Sequence, residues 1–269
     1  MTTYWRRLRD RIAERGPLCI GIDPHPSLLT SWGLPTDAAG VERFGRHLVE
    51  ALADKVAAFK PQSAFFEAYG SAGIASLERV LADINQTDAL SILDAKRGDI
   101  GSTMTAYADA YLADGSPLAA DAVTVSPYLG FGSLLPAIEA AHRYERGVYV
   151  LARTSNPEGG SVQLALTGNG DGSVVQSFID AATEVNSQSR QRAVGLVVGG
   201  THASLGCDLS DFNGSILVPG IGFQGGRMED LPALFGDAVD QVLAVVGRGI
   251  IAAGPDPEAL RAKVDMLLA

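Results

Sequence analysis

The sequence predicts an α/β protein built as one (β/α)8 barrel, on three observations. Eight short apolar runs recur along the chain, each is continuous rather than alternating in polarity, and segments with helical patterning separate them. A strand covered on both faces has no solvent side to keep polar, so continuous runs point to parallel strands with helices packed outside them. The chain has 269 residues, and barrels of this type reach roughly 250 residues as one unit. We therefore expect one domain over 1–269, with a helix inside 1–16 packing on the barrel.

The opening TTYWRRLRDRIAERG alternates arginines with Trp5, Leu8 and Ile12, the pattern of an amphipathic helix rather than of a leader peptide. The candidate strands follow as LCIGID (18–23), VAAFK (56–60), LSILDAK (90–96), DAVTVSP (121–127), GVYVLAR (147–153), AVGLVVG (193–199), SILVPG (215–220) and QVLAVVG (241–247). Helical patterning is clearest at 39–54, 102–114, 131–143, 173–189 and 256–268. The stretch 156–172 is rich in glycine and lacks periodicity, so it reads as a mobile loop over the rim, a candidate lid.

With 46% hydrophobic residues the chain can bury a large core. Its formal net charge of −10 repels nucleic acid and anionic membranes, so neither is expected as a partner, whereas a small phosphorylated substrate can still be held by a few local cations. No run approaches the 18 or so apolar residues that span a bilayer. Two cysteines, Cys19 and Cys207, form no disulfide framework, which suits a reducing, cytoplasmic compartment. His25, His47, His142 and His202 have no metal-ligand spacing, and we expect no metal site.

Polar residues and glycines gather just after the strands: Asp23, Lys60, Asp94 with Lys96, Thr154 with Ser155, Gly199 with Gly200, Gly220 to Gly226, and Gly247 with Arg248. In a barrel these positions share the C-terminal rim, where such folds carry their chemistry. Asp94 and Lys96, two apart at a strand end, point the same way and bring a carboxylate and an ammonium into the mouth. A structural ion pair is the plainer alternative. Asp99 lies beyond Gly98 and by position alone reads as a cap for the helix starting near Ser102. Lys60 is one of four lysines in an arginine-rich chain, and lysine is the cation whose pKa can be tuned for proton transfer. PGIGFQGG (219–226) and VGRGI (246–250) follow the last two strands, the usual phosphate site of the fold. There Gly222 and Gly247 allow close backbone approach, and Gln224 and Arg248 supply donors.

At these residues the chain resembles the orotidine 5′-phosphate decarboxylase family, specifically its longer bacterial branch. The segments that carry the resemblance are GIDP (21–24), FKPQSAFFE (59–67), DAKRGDIGST (94–103), PYLG (127–130), TSNP (154–157), PGIGFQGG and VGRGI. The resemblance implies decarboxylation of orotidine 5′-monophosphate to UMP in pyrimidine biosynthesis, with no cofactor and no metal. It maps the family's charged tetrad onto Lys60, Asp94, Lys96 and Asp99, with Lys96 as proton donor. It also implies a homodimer in which Asp99 and Thr103 reach into the neighbouring site, replacing the cap reading of Asp99. Asp23 matches a ribose contact, Ser155 the pyrimidine edge, and Gln224 with Arg248 the phosphate; Thr154 is expected among the substrate-binding residues, and Leu151 and Pro219 would line the apolar side. Phe223 stands where many relatives carry a smaller residue, and the 156–172 loop has its own composition. Two other functions fit parts of the pattern: a magnesium-dependent decarboxylase or aldolase of sugar phosphates sharing D-x-K-x-x-D, and a barrel that binds nucleotides without catalysis.

Overall fold

The computed structural model describes every residue except Met1, Asn169 and Asp171. Eight parallel strands close into a barrel in sequence order. They are β1 (Leu18–Ile22), β2 (Ala58–Pro61), β3 (Leu90–Arg97), β4 (Ala122–Val125), β5 (Gly147–Arg153), β6 (Val194–Val198), β7 (Ile216–Ile221) and β8 (Val242–Val246). Each falls on an expected run, shifted by a residue or two at its ends.

The expected helices occupy Ala38–Leu52, Gly101–Leu112, Leu135–Arg143, Val174–Ser187 and Pro257–Leu268. Asp37, Ser173 and Asp256 cap three of them by accepting a backbone N–H of the first turn. A further helix, Gly70–Asn85, fills the β2 to β3 crossover, and a short one, Ser63–Glu67, precedes it. The segment 156–172 contains a 3-10 turn, Pro157–Gly159, and a short helix, Gly160–Gln163. Asn169 and Asp171 of the candidate lid, like Met1 of the 1–16 segment, lie outside the described residues.

Although the strands read as unbroken apolar runs, their parity separates two cores. One set of side chains packs outward against the helices, while Cys19, Ala58, Leu90, Ile92, Ala122, Leu217 and Leu243 fill the barrel interior. The N-terminal helix, Tyr4–Arg15, closes the lower end by burying Tyr4 and Leu8 in that interior cluster. The Tyr4 and Tyr149 rings meet edge to face at 6.2 Å between centroids, and their hydroxyls lie 2.9 Å apart. Tyr149 then donates to Ser215 Oγ at 3.0 Å, so these buried hydroxyls are satisfied. Space for the two rings comes from glycines. A Cβ on Gly147 would stand 2.5 Å from the Tyr4 ring, and one on Gly195 2.5 Å from the Tyr149 ring. With the bottom filled, the open volume lies above, at the C-terminal rim.

Candidate active site

That rim holds a cavity of about 460 Å³. Asp23, Lys60, Asp94, Lys96, Thr154, Ser155, Pro219, Gln224, Gly247 and Arg248, all expected from the sequence, line it. Gln62, Thr124 and Asn156 add polar groups that the sequence reading passed over.

Charge is concentrated where β1, β2 and β3 end. Lys60 Nζ lies 3.0 Å from Asp94 Oδ2 and 3.7 Å from Asp23 Oδ1, and Lys96 Nζ lies 2.6 Å from Asp94 Oδ1. Two neutral donors complete the set: Gln62 Nε2 reaches Asp94 Oδ2 at 2.9 Å, and Thr124 Oγ1 donates to Asp94 Oδ1 at 2.8 Å. Each Asp94 oxygen thus receives one ammonium and one neutral donor, which fills the acceptor capacity of a carboxylate. Burial by itself would raise the Asp94 pKa, but Lys60 and then Lys96 outweigh it and hold the carboxyl well below the usual range. Burial likewise works against the Lys60 ammonium, and Asp94 followed by Asp23 reverses the sign, so Lys60 stays charged. Lys96 differs from Lys60 in exposure: its side chain keeps 46% of its accessible surface against 6%. Of the two ammonium groups that line the cavity, Lys96 is therefore the more open to a ligand.

The backbone that presents Lys96 is irregular. Leu93 pairs with Val123 and Arg97 with Val125, so four steps along β3 face two along β4, and Lys96 within this bulge has φ 49°. A non-glycine residue in this region costs on the order of 1–3 kcal/mol and persists only where its surroundings hold it there.

Loops after β5, β6 and β7 build the opposite wall. Gln163, from the short helix after β5, accepts from Thr154 N at 3.1 Å and donates to Thr154 Oγ1 at 2.7 Å; His202 Nε2 lies 2.9 Å from Thr154 O. The candidate lid is thereby tied to the end of β5. Ser155 Oγ donates to Gln224 Oε1 at 3.5 Å, a long bond joining the β5 loop to the β7 loop. The β7 loop is a tight turn with φ 101° at Gly220, 85° at Gly222 and 97° at Gly225, values that side chains resist. Gly222 spends its N–H on Gly226 O at 2.7 Å, and it does not line the cavity although its neighbours Ile221 and Phe223 do. Phe223 is 66% exposed and lies under Arg248, whose guanidinium carbon is 3.5 Å from the ring centre.

Asp99 and Thr103 stand outside this cavity. Asp99 is half-buried and Thr103 exposed. Asp99 Oδ1 accepts from Ile100 N at 2.8 Å, and the helix that follows has no side-chain cap, so the helix-cap alternative fails. Leu151 and Pro219 line the cavity as expected, and Val197, Leu217, Ile221 and Val245 extend that apolar side. Among the described residues no three His, Cys, Asp or Glu side chains converge as a metal site.

Comparison with known proteins assigns the chain to a family. The family model described as Orotidine 5′-phosphate decarboxylase / HUMPS family matches residues 16–263. A Salinispora arenicola protein named orotidine 5′-phosphate decarboxylase is 52% identical over 270 residues, covering 100% of this chain and 97% of the relative. A Streptomyces coelicolor protein of the same name is 50% identical over 265 residues, covering 98% and 95%. Among solved structures, a Streptomyces avermitilis protein assigned as orotidine 5′-phosphate decarboxylase superposes with a TM-score of 0.93 at 49% identity, covering 100% of this chain and 94% of its own. Leishmania donovani OMP decarboxylase superposes with a TM-score of 0.77 at 30% identity, covering 99% and 96%. The chain belongs to the orotidine 5′-phosphate decarboxylase / HUMPS family.

Proposed function

We propose that this protein decarboxylates orotidine 5′-monophosphate to UMP, and that Lys96 protonates the carbon that loses the carboxylate. The observation that carries the reading is the line of alternating charge Asp23, Lys60, Asp94, Lys96, ending on an exposed ammonium in a cavity whose other lining includes Leu151, Val197 and Pro219. A nucleotide whose phosphate met Arg248 and Gln224 and whose ribose met Asp23 would lay its ring between Ser155 and Lys96. Its carboxylate would then sit beside Asp94.

Asp94 stays ionised because two ammonium groups flank it. Two like charges about 4 Å apart at an effective dielectric near 20 repel by roughly 4 kcal/mol. Full relief as carbon dioxide departs would be worth about three powers of ten in rate, well short of a whole enzyme's acceleration. The larger contribution falls to the Lys96 ammonium, preorganised by its 2.6 Å bond to Asp94, which stabilises the carbanion and then delivers its proton. Leu151, Val197 and Pro219 favour a neutral product over an anion on their side of the cavity. Remote phosphate binding at Arg248 supplies energy for organising the site.

The same reading includes a homodimer with shared sites. Its support is the position of Asp99 and Thr103 outside their own cavity, together with the exposed apolar side chains of Ile100, beside Asp99 in the chain, and of Tyr128, Leu129 and Leu135 after β4. It also takes 1–269 as one working unit, with the Tyr4 helix as its floor. A cytoplasmic location rests on the two unpaired thiols, Cys19 and Cys207, the first raised to about 12 by burial and so inert. No helix among the described residues is long and apolar enough to cross a membrane.

The test is loss of the orotate chromophore on incubation with purified protein, with and without exhaustive chelation. Metal-independent turnover is the expected result. Activity that vanishes with the metal would favour the sugar-phosphate chemistry of related barrels instead.

A further inference from the structure

We infer that Thr124 is a positioning residue whose hydroxyl holds both Lys96 and Asp94 in working geometry. The inference rests on the assignment of those two residues as the reacting pair and adds to it the group that fixes their relation.

The bulge in β3 creates the need. Paired residues of β3 and β4 stop at Leu93–Val123 and resume at Arg97–Val125, with Ser126 N donating to Arg97 O at 2.7 Å, so Lys96 lies inside the bulge with no residue of β4 paired to it. Thr124 Oγ1 takes that place, accepting from Lys96 N at 2.9 Å while donating to Asp94 Oδ1 at 2.8 Å. One oxygen thus serves as acceptor and donor at once, which a hydroxyl can do and a methyl cannot. Thr124 is 1% exposed, so water cannot substitute for it without rearrangement.

Two consequences follow at the chemistry. The left-handed backbone at Lys96, φ 49°, determines where the side chain leaves the strand, and the bond to Thr124 is what the amide gains in that conformation. Asp94 Oδ1 is shared by Thr124 and Lys96, so the hydroxyl also sets the direction from which Lys96 Nζ approaches. Thr124 acts through these two residues.

The experiment compares Thr124→Val, which keeps the shape without the hydroxyl, with Thr124→Ser, which keeps the hydroxyl without the methyl. In the folded valine variant kcat should fall by about 10- to 100-fold, the loss typical of a reacting group displaced by about 1 Å, with KM little changed. The serine variant should stay close to wild type. Amide hydrogen exchange at Lys96 should quicken by about tenfold or more in the valine variant and not in the serine variant, a readout that needs no turnover. Equal kcat and equal Lys96 protection in both variants would overturn the proposal. If the valine chain does not fold, Thr124→Ala replaces it: loss relative to serine supports the role, and parity with serine overturns it. Wild-type protein inert toward orotidine 5′-monophosphate would sink the functional reading alone, because the exchange measurement would still decide the role of Thr124.

Discussion

The Arg248 guanidinium carbon stands 3.5 Å from the centre of the Phe223 ring, so the cation at the end of the barrel rests on an aromatic face offered by the β7 loop. Such a contact adds about 0.5–1 kcal/mol at an exposed site and fixes the plane of the guanidinium. Phe223 stood out in the sequence where many relatives carry a smaller residue; in the structure it supports Arg248, the cation proposed to meet the phosphate.

Arg248→Ala should remove a charge-assisted contact worth roughly 1.5–3 kcal/mol, lowering kcat/KM for the nucleotide by about one to two powers of ten. Slow decarboxylation of the nucleoside orotidine, which has no phosphate, should be almost unaffected. Steady-state kinetics on both substrates checks this. Equal loss on both would mean that Arg248 supports the fold or the charged cluster.

Lys96→Ala should fold and lose decarboxylation almost completely, since Lys60 is buried and among the described residues no other ammonium lines the cavity. On the proposed shared-site dimer, Asp99→Ala should be inactive for a different reason, since the site it damages would be the neighbouring one. Mixing the two chains should restore activity, because a heterodimer gathers both lesions in one site and leaves the other intact. Verified subunit exchange without recovery would put Asp99 in its own subunit's chemistry.

Gly195→Ala should destabilise the protein without touching the rim. The added Cβ would lie 2.5 Å from Tyr149 and 2.8 Å from Ser215 O, and overpacking of this kind costs about 1–3 kcal/mol. Thermal unfolding should show a Tm lower by a few degrees. Tyr149→Leu in the same chain should recover part of the loss, since the two sites are in contact and their effects should not add.

Acid stability should report on Asp94. An unfolded Asp titrates near 3.9, roughly, whereas the folded carboxyl titrates below that. Its stabilising contribution is therefore complete above pH about 4 and is lost as pH falls through the lower folded value. Lys60 has the opposite sign: its folded pKa is raised, so its contribution is complete below about 10.4 and fades only as pH climbs beyond. Urea unfolding of wild type and Asp94→Asn should give a gap at pH 7 that narrows below pH 4. A gap that is constant down to pH 2 would show that the carboxyl titrates alike in both states.

The barrel was legible because buried parallel strands leave unbroken apolar runs, and Lys60, Asp94 and Lys96 were legible because a charge at the end of such a run is conspicuous. Gln62 and Thr124 escaped notice because a neutral polar residue in a strand resembles filler. Parity would have found them: Gln62 is two beyond Lys60, and Thr124 two beyond the interior residue Ala122. The β3 bulge left no mark, since nothing in LDAKRGD marks Lys96 for a positive φ. Arg248 was visible as a cation, but its seat on Phe223 depends on a loop conformation that glycines permit without specifying.

The floor laid by Tyr4 and Leu8 closes the lower end of the barrel, and the cavity of the charged cluster lies at the opposite rim. On the proposed function, nucleotide, displaced water and evolved gas would cross the rim where Ser155, Gln224 and Arg248 stand. Traffic would then be sequential: a gas released beside Asp94 would leave past the nucleotide seated above it, or wait until that nucleotide departs.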